Sequence, residues 1–136
     1  MRIKSYSKMK FAVIGATQNK DKYGYIVFNY LKNKGFEVFP VNPNYQEIDG
    51  YKAYKDVFSV PLPIDFFVFV TPPQVSIKIL KQLNLLKEKT DFKVWFQPGS
   101  EDDNCIKFCK ANNIAFVSQA CIMHSNLDDL NNSYII

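Results

Sequence analysis

The feature that most constrains this chain is its first apolar run, Lys10-Phe-Ala-Val-Ile-Gly15, and the polar loop and helix pattern directly after it. A short uninterrupted apolar run ending in glycine is the pattern of a strand buried on both faces. Ala16 to Lys22 is polar and loop-like. From Tyr23 to Lys34 the apolar residues Ile26, Val27, Tyr30 and Leu31 recur at helical spacing, and Gly35 stands at a C-cap position. A second run, Phe36 to Val41, ends at the turn residues Asn42-Pro43-Asn44, and Pro40 predicts an early end or a bend in it.

Further along, Gly50 to Val60 reads as irregular, with a short helix suggested after Tyr54. Ile64 to Val70 is the clearest buried strand, rich in β-branched and aromatic residues. Thr71 and Pro72-Pro73 open a helix whose apolar face is read as Val75, Ile79, Leu83 and Leu86. Lys93 to Phe96 is a fourth strand, closed by Gln97-Pro98-Gly99. Ser100 then reads as an N-cap, with Glu101, Asp102 and Asp103 in a solvated first turn. Ile114 to Val117 is a fifth strand. This succession predicts one doubly wound, Rossmann-like α/β domain over 1–136, with its core at about 10–124 and a tail at 125–136. The expected sheet is parallel and five-stranded, in the order 3-2-1-4-5, with helices on both faces. The tail ends in Tyr134-Ile135-Ile136 and is read as loose or as a closing element.

Composition narrows the setting. With 47% hydrophobic and 22% charged residues, the chain has the balance of a soluble globular protein. Phe66 to Val70, the longest apolar run, is far too short to span a bilayer. The nine residues before the first strand hold Arg2, Lys4 and Lys8 and no apolar stretch, so no secretory signal is read there and a cytoplasmic setting is expected. Three cysteines, Cys105, Cys109 and Cys121, suit free thiols better than a disulfide framework. The net charge of +4 favours an anionic partner, but the lysines are scattered and no nucleic-acid motif appears. A small polyanionic ligand accounts for it, with a homo-oligomer or a protein partner left open.

In an open parallel sheet a ligand binds outside the carboxyl ends of the strands, where the strand order reverses. Gly15 permits a tight turn, and the amides opening the next helix can hold phosphate. Thr17 adds a hydroxyl, while Lys20 and Lys22 place cations on the same loop. Gly24 stands nine residues after Gly15, too far along to serve as the third glycine of a dinucleotide fingerprint. The second strand ends without the acid that NAD enzymes use on the ribose: Asn42-Pro43-Asn44 precedes the first carboxylate, Glu47. That absence suits a phosphorylated ribose, as in coenzyme A or NADP. The bland readings are a strand-closing glycine, solvated lysines and Asn42 as a turn residue.

Together these stretches resemble the small CoA-binding-domain proteins, whose fold matches the nucleotide-binding domain of the succinyl-CoA synthetase α subunit. The similar segments are Val13 to Lys22, Val38 to Pro43, Gly50 to Tyr54, Ile64-Asp65, Val94 to Gly99 and Cys121-Ile122. The resemblance implies CoA or acyl-CoA with its diphosphate at Gly15, Ala16 and Thr17, where Thr17 takes the place of a usual Ser. Lys22 takes that of a usual Arg, and Gly24 that of a frequent small hydroxylic residue. Asn42 and Pro43 would border the adenosine, and Thr71 and Pro72 the pantetheine. Gln97, Gly99 and Cys121 would lie near the thiol end. A module without catalysis of its own is the leading expectation, since the synthetases need further domains. The alternative is an NAD(P)-binding oxidoreductase or regulatory protein, and a third reading is a protein–protein adaptor.

Other residues invite chemistry and have simpler explanations. Cys121 and His124 could form a nucleophile–base pair, or two metal ligands of the four that zinc takes. No second pair or orienting residue is evident, and packing is the default for Cys121. Cys105 and Cys109, four apart on a predicted helix, read as small buried hydrophobes, and Trp95 reads as core. No catalytic residue and no metal site is assigned.

Overall fold

The computed structural model describes residues 9–125, and strands alternate with helices along nearly all of it. The principal elements are β1 (Lys10–Ile14), α1 (Tyr23–Asn33), β2 (Glu37–Val41), a small hairpin of β3 (Glu47–Ile48) and β4 (Tyr51–Lys52), β5 (Phe66–Phe69), α2 (Pro73–Leu86), β6 (Lys93–Phe96), α3 (Asp103–Ala111) and β7 (Phe116–Val117). A 3₁₀ turn at Ile122–His124 closes the described chain. The expectation for the tail falls almost entirely outside the described residues.

The doubly wound parallel sheet is present: five strands pair in the order β2-β1-β5-β6-β7, every pair parallel. Strand order is where the sequence reading needs adjusting. The third strand it counts, at Ile64–Val70, lies against β1 and not outside β2. All four residues of β5 are buried, which only a central position covered on both faces provides. The outer place beside β2 is held instead by a one-residue parallel bridge between Val41 and Tyr54. Tyr54 N donates to Pro40 O at 2.9 Å and Asn42 N donates to Tyr54 O at 2.8 Å. Counting this bridge as the third strand restores the sequence 3-2-1-4-5, with β7 added beyond. Pro40 does not end β2 early, because its missing donor faces that outer edge. No helix forms after Tyr54; Asp56 accepts from the amides of Phe58 and Ser59 in a turn, and Pro61 and Pro63 bar extension.

Alternation along the strands divides the core. Phe11, Val13, Phe66, Val68 and Trp95 pack with Val27, Phe28 and Leu31 of α1. Ala12, Ile14, Phe67, Phe69, Val94 and Phe96 pack with Leu80 and Leu83 of α2 and Cys105 and Cys109 of α3. The helix faces sit slightly rotated from the sequence reading. Phe28 is buried in α1 while Ile26 is 37% exposed, and Leu80 is buried in α2 while Val75 is 37% exposed. The N-cap of α3 is Asp102, whose carboxylate accepts from Cys105 N at 3.1 Å. Ser100 lies two residues before it, buried and donating to Gln97 O at 2.8 Å, outside the cap position.

The register sets Ile14, Phe69 and Phe96 side by side. The residues just beyond them continue the ladder: Gly15 N donates to Val41 O at 3.0 Å, Val70 N to Ile14 O at 2.9 Å and Gln97 N to Phe69 O at 3.1 Å. The carboxyl ends of three strands therefore finish on one line, from which the loops diverge. Among the described residues no helix is long and apolar enough to cross a membrane.

Candidate functional site

Between these diverging loops lies a crevice of about 720 Å³, within the range of small-molecule sites. One end is lined by Asp21, Lys22, Tyr23 and Gly24, where α1 begins. Val70, Thr71 and Pro72, between β5 and α2, line its middle. Gln97, Gly99, Ser100, Cys121 and His124 are among the residues of the other end. The crevice thus spans the switch point, where the chain goes from β1 to one side and on to β5 at the other.

Of the residues singled out in the sequence, Lys22, Gly24, Thr71, Pro72, Gln97, Gly99 and Cys121 come together in this lining. Gly15, Ala16, Thr17, Lys20, Asn42 and Pro43 do not line it. Lys20 Nζ stands 5.9 Å from the Tyr25 ring centroid. Asn42 is committed to the loop: its Nδ2 donates to Ala16 O at 2.8 Å and its Oδ1 accepts from Asn44 N at 2.9 Å. Gly15 has a φ of +98°, and a Cβ there would lie 3.0 Å from Thr71 Cγ2 and 3.3 Å from the Val70 carbonyl. An added side chain would therefore press on the neighbouring strand end.

Gly24 has a different task from the one its spacing suggests. A Cβ on it would stand 2.1 Å from Gly15 O, an impossible approach. The start of α1 thus rests directly on the Gly15 peptide, which is the close-packing role of the third fingerprint glycine. The long loop 16–22 carries Gly24 back over the strand end, a return that residue spacing does not reveal. A side chain of any kind in this place, a hydroxylic one included, requires the helix to move. The helix has no side-chain cap and no acidic residue in its first turn, so its opening amides have no side-chain acceptor.

The loop itself is held by residues 42–49. Besides the Asn42 contact, Thr17 Oγ1 and Tyr45 OH share a hydrogen bond of 2.9 Å. Gln18 Nε2 donates to Asp49 Oδ1 at 2.8 Å, and Asp49 N donates to Gln18 Oε1 at 2.9 Å. Asp49 also accepts from Tyr25 OH at 2.6 Å and pairs with Lys32 at 3.4 Å. The Tyr25 hydrogen bond first, then Gln18 and Lys32, hold its carboxyl well below the usual carboxylate range, at about 2. The same contact pushes the Tyr25 phenol up. Sequence reading misses Tyr45 and Asp49, because neither sits in a motif and both act across the chain.

At the other end the core strand does the holding. Trp95 is buried and donates from Nε1 to Ala120 O at 2.8 Å. Gln97 is 4% exposed; its Oε1 accepts from Ile122 N at 2.7 Å and its Nε2 donates to Cys121 Sγ at 3.3 Å. His124 lines the crevice, and its backbone N donates to Cys121 O at 3.0 Å. Glu101 is not part of a solvated first turn: burial pushes its carboxyl up, and Oε1 is buried without a partner among the described residues. Cys105 and Cys109 are buried in the core, and burial raises both thiols, Cys109 to about 12. Among the described residues no group of three His, Cys, Asp or Glu could hold a metal ion.

Comparison with known proteins finds relatives by sequence and by overall structure. An acetate–CoA ligase (ADP-forming) of Methanocaldococcus jannaschii is 41% identical over 78 residues, covering 57% of this chain and 11% of the ligase. A 4-hydroxybutyrate–CoA ligase (ADP-forming) of Nitrosopumilus maritimus is 29% identical over 131 residues, covering 90% of this chain and 19% of its own. The chain therefore spans only a small part of the ligases it matches. Among solved structures, a conserved hypothetical protein of Pyrococcus furiosus is 41% identical with a TM-score of 0.78, over 85% of this chain and 97% of that one. Residues 9–126 match the family described as the CoA binding domain, and the chain belongs to that family.

Proposed function

We propose that this domain binds CoA or an acyl-CoA along the crevice and carries out no chemistry of its own. The observation that carries the reading is the continuity of one crevice from the uncapped start of α1, past Thr71 and Pro72, to Cys121. The diphosphate belongs at the α1 end, beside Lys22, Gly24 and the loop from Gly15 to Thr17, where backbone amides and a cation favour an anion. The pantetheine arm runs over Thr71 and Pro72 and presents its thiol toward Gly99 and Cys121. CoA supplies that thiol as an acyl carrier when bound; this chain supplies orientation. Gln97 is committed to Ile122 and Cys121, which suits a wall better than a reacting group.

The test is calorimetry with CoA, acetyl-CoA and NADP, on the wild type and on Lys22→Ala. CoA and acetyl-CoA bind and NADP fails to compete. Lys22→Ala weakens CoA by ~1–3 kcal/mol, the range of a hydrogen bond to a charged group, and salt shrinks the difference. No heat with CoA or acetyl-CoA at millimolar ligand overturns the reading.

A further inference from the structure

A second concavity, of about 600 Å³, lies between α2 and α3, and none of its lining residues lines the crevice. From α2 come Pro73, Ile77 and Lys81, spaced four apart and so on one side of the helix. From α3 come Lys107 and Phe108, with the capping Asp102 before them. Ile77 and Phe108 are partly buried against the core beneath and give the groove an apolar floor. Lys81 and Lys107 are exposed, one on each helix. Among the described residues the single ion pair is Lys32–Asp49, so no carboxylate neutralises either ammonium. Asp102, the one acid of the lining, is spent on the amide of Cys105. The groove ends where the helices are clasped: Asn84 Nδ2 donates to Asn112 Oδ1 at 3.3 Å, and Lys87 donates to the carbonyls of Asn112 and Asn113.

We infer that this groove docks an acidic segment of a partner protein, which sets an apolar side chain on Ile77 and Phe108 and a carboxylate against each lysine. Charge complementarity carries the choice, because both uncommitted charges of the lining are positive and stand on opposite helices. The apolar floor wants an apolar side chain, which a nucleic-acid backbone does not offer. A concave strip between two helices does not fit the plane of a bilayer. From Pro73 to Lys81 the groove runs about 12 Å, at the helical rise of ~1.5 Å per residue, the length of two turns of a partner helix. The inference is independent of what the crevice binds.

NMR titration of the isotope-labelled chain tests it, with a short helical peptide that carries glutamates flanking a leucine. The amides of Ile77, Lys81, Lys107 and Phe108 shift, and those of the crevice do not. The pair Lys81→Glu, Lys107→Glu weakens the peptide about tenfold or more, the milder pair Lys81→Gln, Lys107→Gln falls between, and added salt shrinks both differences. Replacing the peptide's leucine by alanine weakens it several-fold, and replacing its glutamates by lysines abolishes binding. Several results overturn the inference: no shifts at millimolar peptide, shifts centred elsewhere, or equal affinity for the wild type and both lysine pairs. Equal affinity of the leucine and alanine peptides overturns it too. So does tighter binding of a short DNA duplex or of phosphatidylserine vesicles through the same residues, which would give this face to another class of partner.

Discussion

The two ends of the crevice are built by opposite means. At the α1 end the loop is tied down by polar contacts near the surface, from Asn42, Tyr45 and Asp49. At the Cys121 end two side chains of a buried strand and its end, Trp95 and Gln97, reach out of the core to hold residues 120–122. Surface polar contacts respond to salt and protons and are individually weak. Buried ones respond to packing and are costly to break. The end assigned to phosphate is therefore adjustable, and the end assigned to the thiol is rigid. Gly24 sits outside this division, since it joins the adjustable loop to the sheet through a backbone contact.

The largest expected effect comes from that contact. Gly24→Val places carbon where Gly15 O already stands, 2.1 Å away, and neither partner is the flexible end of a side chain. Overpacking of this kind costs ~3 kcal/mol, at the upper end of its usual range, and the start of α1 shifts to relieve it. Thermal unfolding shows the lost stability, and calorimetry shows CoA affinity falling with it. A folded variant with wild-type melting and affinity would mean that α1 does not rest on the Gly15 peptide.

Legibility in the sequence divides along the same line. The rigid parts are largely legible: the buried strands and their ends at Gly15, Val70 and Phe96 emerge from the apolar runs. The place of Phe66 to Phe69 beside β1 does not, because the Tyr54 bridge that takes the outer position is a single residue with no strand pattern. Gln97 and Cys121 are found through their place at strand ends and in family segments, but their bond to each other is not. The adjustable parts are largely illegible. Tyr45 and Asp49 reach Thr17 and Gln18 across 28 and 31 residues, and no local pattern encodes such a distance. Gly24 is misjudged because spacing counts residues, whereas a loop folds back through space. Ser100 is misjudged as a cap because the helix begins only at Asp103, which puts Asp102 in the cap position.

At the rigid end, Gln97→Leu keeps approximate volume and removes both polar contacts. Ile122 N then loses its acceptor in a buried setting, for ~1–2 kcal/mol of stability. Because the strand still packs, the lost order is confined to residues 120–122. Hydrogen exchange should show Ile122 losing protection while β1 and β5 keep theirs. Uniform loss across the sheet would mean that Gln97 supports the whole core, and the two ends would no longer be separable.

The smallest effect separates the ends by the sign of their response to protons. Asp49 is held at about 2, below its ordinary 3.8, chiefly by the Tyr25 hydrogen bond. A depressed carboxyl contributes stability that is present above its unfolded value and is lost as pH falls through the folded one. Its share thus fades between 3.8 and about 2, and Asp49→Asn both lowers the melting temperature at neutral pH and flattens that acid decline. Glu101 runs the other way. Burial raises its carboxyl above 4.5, so its contribution is full below that value and is lost as pH rises through the folded one. Glu101→Gln keeps the shape without the charge, and melts higher than wild type at neutral pH, with no gain in acid. Melting curves across this range for the wild type and both variants read the two signs directly. Parallel curves for wild type and Asp49→Asn below 3.8 would show that Asp49 is simply solvated, and that the loop is held by Asn42 and Tyr45 alone.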